Sequence, residues 1–443
     1  MSNNENNEIR DSFTSKTGFI LACIGSAVGM GNIWLFPYRV GQFGGAAFLI
    51  TYIIFIVLLG YTGLMGEFAF GRMTQTGPIG SFKKALETKN KNWGGFLGII
   101  PVVGAFGIAV GYAVVVGWFL RFLGGFITGS AMSAADSGAY FGELASPFGS
   151  IIWHLLALIL VSIVLISGIS KGIETMNKIM MPAFYILFVI VMVRVFMLDG
   201  AFEGIKYLVV PKWSSLMEPK TWIYALGQAF FSLSLAGSGM IVYGSYLKRD
   251  VDIMSSAKNT VIFDTLGAFL AGLVIIPAVF AFNLDPASGP PLLFITIPSV
   301  FKLMPFGRLF GVIFFISVLF ASITSLMNLL EVPIEAVQST FKLKRKLSVF
   351  IVVGAAFIFG LFAEDGNNLG VLMDFVSIYI IPIGAFIAAV MFFWVIGIEK
   401  AKYEIECGTD KKLGKLFEIS AKYVFVFLTI FVFIAGILLG GIG

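Results

Sequence analysis

Charge is scarce in this sequence. Of 443 residues only 12% are Asp, Glu, Lys or Arg, and a soluble domain needs roughly twice that fraction to cover its surface. Cysteine is scarcer still. Cys23 lies in an apolar segment and Cys407 in a charged loop, so neither a disulfide framework nor a metal-ligand spacing exists. The single histidine, His154, starts an apolar helix, where a bland interfacial role is expected. With no nucleophile–His pair and no metal cluster, no enzyme is expected. The alternating pattern of barrel strands is also missing. The first dozen residues (MSNNENNEIRDS) lack the apolar region and cleavage site of a signal peptide, so the first hydrophobic segment is expected to be retained.

What is present is hydrophobic: 58% of the residues, with a mean hydropathy of +0.95. The apolar runs far exceed the length of a buried strand. The fold class expected is an all-α polytopic membrane protein. Eleven spans are read at roughly 14–40, 43–71, 94–125, 148–168, 171–198, 218–247, 256–283, 305–340, 346–363, 368–397 and 418–441. Alternate loops, beginning with the N-terminus, hold 22 of the 30 Lys and Arg residues, against six in the opposite set. The bias predicts a cytoplasmic N-terminus and an extracellular C-terminus, in the inner (plasma) membrane of a bacterial-type cell. It also explains the net charge of +5 without nucleic acid. The implied partners are the lipid bilayer and a small molecule; the oligomeric state stays open.

Two spans should not be good helices. Span 1 contains GSAVGMGN (Gly25–Asn32) and span 6 contains SLSLAGSG (Ser232–Gly239). Irregular backbone at membrane depth is tolerated only where it is buried in protein or lines a cavity. Interruptions at matching places in spans 1 and 6 predict a five-plus-five inverted repeat with a binding site at the midplane. The bland alternative is close packing of helices through small residues. The expected organisation is a cytoplasmic segment 1–13, a first repeat 14–198, an extracellular loop 199–217 and a second repeat 218–397. A cytoplasmic loop 398–417 and an eleventh span with its extracellular end, 418–443, complete it.

Some chemistry reads locally. Sodium takes about five or six hard oxygen ligands and gains from a negative charge. An unwound helix frees carbonyls that no intrahelical donor claims. Asn32 follows the first break, Ser232 opens the second, and Asp264 is an ionisable group deep in span 7, which points to function by default. Ala321, Thr324 and Ser325 share one face of span 8 at i, i+3 and i+4. The exposed amides of Met30 and Gly31, at the start of a half-helix, suit an anion.

GSAVGMGNIWLFPYRVGQFGGAAF (Gly25–Phe48) closely resembles the first-span signature of the neurotransmitter:sodium symporter family. GQAFFSLSLAGSGMIVYGSYL (Gly227–Leu247) and FASITSL (Phe320–Leu326) resemble its spans 6 and 8. The resemblance runs from Arg10 to about Trp394, to the family's bacterial eleven-span amino-acid carriers. It implies a sodium-coupled symporter that imports a hydrophobic or aromatic amino acid by alternating access. It implies two sodium ions. Ala27, Asn32, Ser232 and Asp264 would hold the first, together with the substrate carboxylate as a shared ligand. Gly25, Val28, Ala321, Thr324 and Ser325 would hold the second. Tyr112, in GYAVVVGW, matches the family's carboxylate-binding tyrosine. Carbonyls around Ala27, Phe231 and Ser234 suit the substrate ammonium. Ile108, Phe231, Gly237, Ser325 and Leu329 would surround its side chain, with Gly237 leaving the pocket roomy and Trp34 lining or lidding it.

Departures from the family pattern carry information too. The outer-gate arginine is replaced by Leu35; its partner is present as Asp374, and Arg39 lies one turn further along. Arg10 fits the inner-gate arginine, but the acid opposite it is Ser339. Chloride-dependent relatives use positions matching Tyr52, Gln228 and Ser232, closed by a serine that is Ala268 here. Asp264, one turn earlier, supplies a fixed negative charge in its place. No chloride requirement is therefore expected. After sodium leaves, a lone carboxylate in a low-dielectric site would favour taking up a proton, so proton counter-transport is expected with it. Glu67, in GLMGEFAFGR, matches an acid that braces the unwound part of span 6. Gly172 and Pro182 bracket a stretch of span 5 in which the carbonyl of Lys178 loses its donor, so its cytoplasmic end is expected to unwind. Three alternatives stay open: a proton-driven amino-acid carrier of the same fold, a channel, and a non-transporting amino-acid sensor.

Overall fold

The computed structural model describes residues 11–287 and 292–442. Helices dominate, because in lipid each backbone N–H and C=O must find its partner within the segment. Eight helices are long and apolar enough to cross a membrane: Ala46–Thr74, Gly94–Thr128, Ile169–Phe196, Ile253–Ala281, Gly307–Phe341, Arg345–Phe362, Gly366–Glu406 and Lys415–Leu439. A ninth crossing is the pair Lys16–Ala27 and Gly31–Gln42, bent by 52° at its break. These are spans 2, 3, 5, 7, 8, 9, 10, 11 and 1 of the expected series. Span 4 is the shorter apolar helix Ile151–Ile166. Span 6 falls in two pieces, Pro219–Ser232 and Gly239–Ser245.

Spans 3 and 8, each of 35 residues, are two-thirds buried and pack on one another at the centre. Spans 9 and 11 are only 28% buried and form the rim. The first half of span 1 packs against spans 5, 7 and 8, and both pieces of span 6 pack against span 2. Among the described residues six short π-helical stretches occur, including Gly31–Leu35, Ile169–Glu174 and Val376–Ile380. Nothing in the hydrophobic pattern announced them. Such turns are often found at functional sites.

The end of the bundle where span 1 starts (its N-face) is tied by buried ions. Arg72 of span 2 is fully buried and donates to Glu404 Oε1 at 2.7 Å, to the Glu404 carbonyl and to the Val251 carbonyl at 2.6 Å. Arg345 grips both carboxylate oxygens of Glu331 on span 8, at 2.9 and 2.7 Å, while Tyr246 donates to the same group at 2.8 Å. Glu174 of span 5 accepts from the Thr14 amide and hydroxyl, the Ser15 hydroxyl and Lys178, all within 2.8 Å. Removing one member of such a buried group costs ~3–5 kcal/mol by stranding a charge.

Several expectations about ends and gates need correction. Arg10 lies outside the described residues. Among the described residues Ser339 bonds back to the Ala336 carbonyl at 3.4 Å, whereas the buried acids of span 8 are Glu335 and Glu331, one and two turns earlier. Arg39 makes no ion pair with Asp374. It donates to Gln42 at 3.1 Å and lies over the Tyr224 ring at 4.3 Å, because an aromatic face is within reach and exposed Asp374 is not. His154 is fully buried, with Nδ1 3.2 Å from Glu364 Oε1. Span 5 is helical across Gly172 and Pro182, entered through the π-turn Ile169–Glu174.

Candidate functional site

The break in span 1 begins where Val28 leaves the helix with extended backbone (φ −71°, ψ 102°). Helical bonding resumes when the Asn32 and Ile33 amides both donate to the Gly29 carbonyl at 3.1 Å. Gly29 is required there: a Cβ would stand 2.2 Å from the Tyr112 hydroxyl. In span 6 the chain leaves the helix after Ser232, and Ser234 takes a left-handed conformation (φ +53°). Its hydroxyl donates to the Ser26 carbonyl at 3.2 Å, joining the two breaks.

Beside them three spans meet. Asn32 Nδ2 donates to Asp264 Oδ1 at 2.8 Å, to the Asp264 carbonyl at 3.1 Å and lies 3.1 Å from Ser232 Oγ. Ser232 donates to Asp264 Oδ2 at 2.8 Å, and the Tyr52 hydroxyl lies 3.2 Å from Ser232 Oγ. All four side chains are buried. Gln228 donates to the Gly31 carbonyl at 2.9 Å, and Ala268 is buried on the same helix as Asp264.

A second group lies on the other side of the break, facing span 8. Thr324 donates back to the carbonyls of Phe320 and Ala321 at 3.0 and 2.9 Å. Ser325 crosses to span 1 and donates to the Ser26 carbonyl at 3.2 Å. Gly25 packs against Thr324, and the Val28 amide is spent on the Ile24 carbonyl at 2.7 Å. No charged side chain belongs to this group.

Between the breaks is a cavity of about 60 Å³. Ala27, Gly31 and Tyr112 line it at one end, with Ser234 and Ser325 beside them. Ile108, Phe231, Leu235, Leu329 and Ile381 supply apolar walls. Tyr112 accepts the Met30 amide at 2.7 Å. Met30 and Ser232 themselves are not part of the wall; Ser232 belongs to the Asp264 group. Ala27 lines the cavity, but the contacts that join Asn32, Ser232 and Asp264 do not include it.

Gly237 is not part of the wall either, and the expectation that it widens the pocket is overturned. At φ +66° its missing Cβ would point at span 10, 2.5 Å from the Gly384 carbonyl oxygen and 2.8 Å from Ala388. Its amide donates to Glu67 Oε1 at 2.9 Å, so the acid of span 2 holds the second break. Trp34 does not reach the cavity; its ring stands edge-on to Phe294 at 5.6 Å. Phe294, between spans 7 and 8, also stacks on Phe119 and Phe141, and nothing in its local sequence marked it. Asn328, a cavity residue 2% exposed, was missed as well. As a polar side chain within the apolar run LMNLL, it carried a usable signal.

Spans interrupted at their middles, enclosing a small cavity, with a buried carboxylate bonded to residues next to its wall, define a membrane carrier rather than a passive bundle. The sequence profile of the Sodium:neurotransmitter symporter family matches residues 10–132 and 141–439. The chain belongs to that family. An uncharacterized sodium-dependent transporter of Bacillus subtilis, YhdH, is 36% identical over 432 residues, covering 94% of each chain. The sodium-dependent serotonin transporter of Drosophila melanogaster is 28% identical, across 96% of this chain and 76% of its own. Among solved structures, MhsT in complex with L-phenylalanine superposes with a TM-score of 0.87 at 34% identity, covering 96% of this chain and all of that one. The protein is thus a multi-pass secondary transporter of a sodium-dependent family, and not an enzyme.

Proposed function

We propose that the protein is a symporter that imports a hydrophobic or aromatic amino acid with sodium, without needing chloride. The observation that carries this reading is the meeting of Asn32, Ser232 and Asp264 beside the breaks of two helices, where Gly31 and Phe231, the residues just before Asn32 and Ser232, line the cavity. In this reading the first ion takes oxygens from Asp264, Ser232, Asn32 and the Ala27 carbonyl. Asn32 turns its amide over so that Oδ1 stands where Nδ2 is, a rotation that exchanges donor for acceptor. The substrate carboxylate completes the shell, displacing the Met30 amide from Tyr112 and taking the hydroxyl as donor.

The second ion takes carbonyls of Gly25, Val28 and Ala321 with the hydroxyls of Thr324 and Ser325. Their back-bonds to carbonyls are compatible with this. A hydroxyl that spends its one proton keeps two lone pairs for a cation.

The fixed charge of Asp264, beside Tyr52, Gln228 and Ala268, does the electrostatic work of an exchangeable anion. Once the ion has left, that carboxylate is best neutralised by a proton, which the empty carrier takes back outward. The N-face is cytoplasmic in this account, and spans 1–5 and 6–10 form two inverted repeats.

The cavity has room for a few waters, each needing ~10–15 Å³. An aromatic side chain is therefore admitted by movement of Phe231, Leu235 and Leu329 rather than by a vacancy at Gly237. The phenylalanine bound by MhsT supports this class of substrate. Uptake of a labelled amino-acid panel into proteoliposomes tests the reading. Phenylalanine, tyrosine, tryptophan or leucine should accumulate only under an inward sodium gradient. Accumulation driven equally by a proton gradient without sodium would overturn it.

A further inference from the structure

Span 5 carries a buried amide that nothing above uses. Asn177 is fully buried, one turn after Glu174 and midway between Gly172 and Pro182. Its Nδ2 donates to the Ile173 carbonyl at 2.8 Å, so the orientation of the group is held. Its Oδ1 has no hydrogen-bond partner. That oxygen abuts Gly25 so closely that a Cβ there would stand 1.9 Å from it, and the same Cβ would be 2.9 Å from Thr324 Cβ. A bare, buried oxygen thus lies against Gly25, on the side of it that faces Thr324; both residues are among the five assigned to the second ion, and Asn177 comes from a helix outside that set. Leaving such an acceptor unmatched in the interior is unfavourable, and a cation held by Gly25 and Thr324 would match it.

We propose that Asn177 contributes its amide oxygen to the second sodium site. The inference rests on the assignment of Gly25, Val28, Ala321, Thr324 and Ser325 to that ion.

The test is equilibrium sodium binding to the purified full-length protein, without substrate. Sodium-dependent thermal stability is titrated against potassium at constant ionic strength, with radiolabelled sodium binding alongside. Asn177→Leu keeps the volume and removes the oxygen. The sodium midpoint should rise by about fivefold or more, while thermal stability in potassium alone stays equal or rises, because a buried unpartnered acceptor has gone. Asn177→Asp should lower the midpoint. Should the leucine variant not purify as a single species, Asn177→Ser, which retracts the oxygen, must raise the midpoint in its place. A wild-type midpoint in these variants overturns the proposal. Thr324→Val with Ser325→Ala runs in parallel. If that control shifts and Asn177→Leu does not, only the role of Asn177 fails. If the control keeps the wild-type midpoint, the second-site assignment itself fails.

Discussion

Asp264, Asn32 and Ser232 meet through side chains from three different spans, and one of them is an ionisable carboxyl at membrane depth. The group on the other side of the same break has no charge: two hydroxyls of span 8, each bonded to a carbonyl, facing span 1 backbone. Both groups sit against one interruption, yet they are made of different materials. A carboxylate out of water must be compensated, so in the proposed reading the first group should bind a cation strongly and suffer badly when incomplete. Its Asn32 and Ser232 follow Gly31 and Phe231 of the cavity wall in the chain, while Ser325 of the second group lines the wall itself. Neutral oxygens hold sodium by number rather than charge, so the second group should bind weakly, tune easily and let go readily. One group is suited to coupling and the other to release.

The largest effect should come from breaking the charged group. Asp264→Ala or Asn32→Ala is expected to abolish sodium-dependent uptake in proteoliposomes, and wild-type-like uptake by either would remove the first assignment. Next comes the cavity end. Tyr112→Phe deletes the hydroxyl that accepts from Met30 and, in this account, donates to the substrate carboxylate. A hydrogen bond to a charged group is worth ~1.5–3 kcal/mol, so substrate affinity at saturating sodium should fall about ten- to a hundredfold. Unchanged affinity would detach Tyr112 from the carboxylate.

A smaller effect is expected on the neutral side. Thr324→Val with Ser325→Ala should weaken sodium binding about tenfold, ~1.4 kcal/mol, while Thr324→Val alone, at a residue outside the cavity wall, should leave substrate affinity at saturating sodium nearly intact. A loss as complete as that of Asp264→Ala would erase the contrast between the groups. Replacing chloride by gluconate should change wild-type uptake least of all. In Asp264→Ser, by contrast, any residual uptake should become responsive to chloride.

The fold was legible where physics leaves few choices. Apolar runs must become helices in lipid, and glycine and serine clusters at Gly25–Asn32 and Ser232–Gly239 marked both breaks. Asp264 announced itself because a carboxylate has no business in an apolar span without a partner. Directions were not legible. Gly237 looked like space for substrate, but a left-handed φ turns its missing side chain onto the Gly384 carbonyl, a fact of backbone geometry rather than composition. Arg39 looked aimed at Asp374, but Tyr224 stands nearer in space although far away in sequence. Asn177 passed unnoticed because its meaning depends on Gly25 and Thr324, which only the packing of spans 1, 5 and 8 brings beside it. Local signals name residues; long-range packing decides what each one faces.

Coupling through the charged group is tested most directly by equilibrium binding of labelled L-phenylalanine to the purified protein across sodium concentrations. Gluconate is the only anion and potassium replaces sodium. If ion and substrate carboxylate share one shell with Asn32, Ser232 and Asp264, affinity in potassium alone should be weaker by about tenfold or more. Sodium should lose that influence in Asp264→Asn. Equal affinity for phenylalanine in sodium and in potassium would contradict the account.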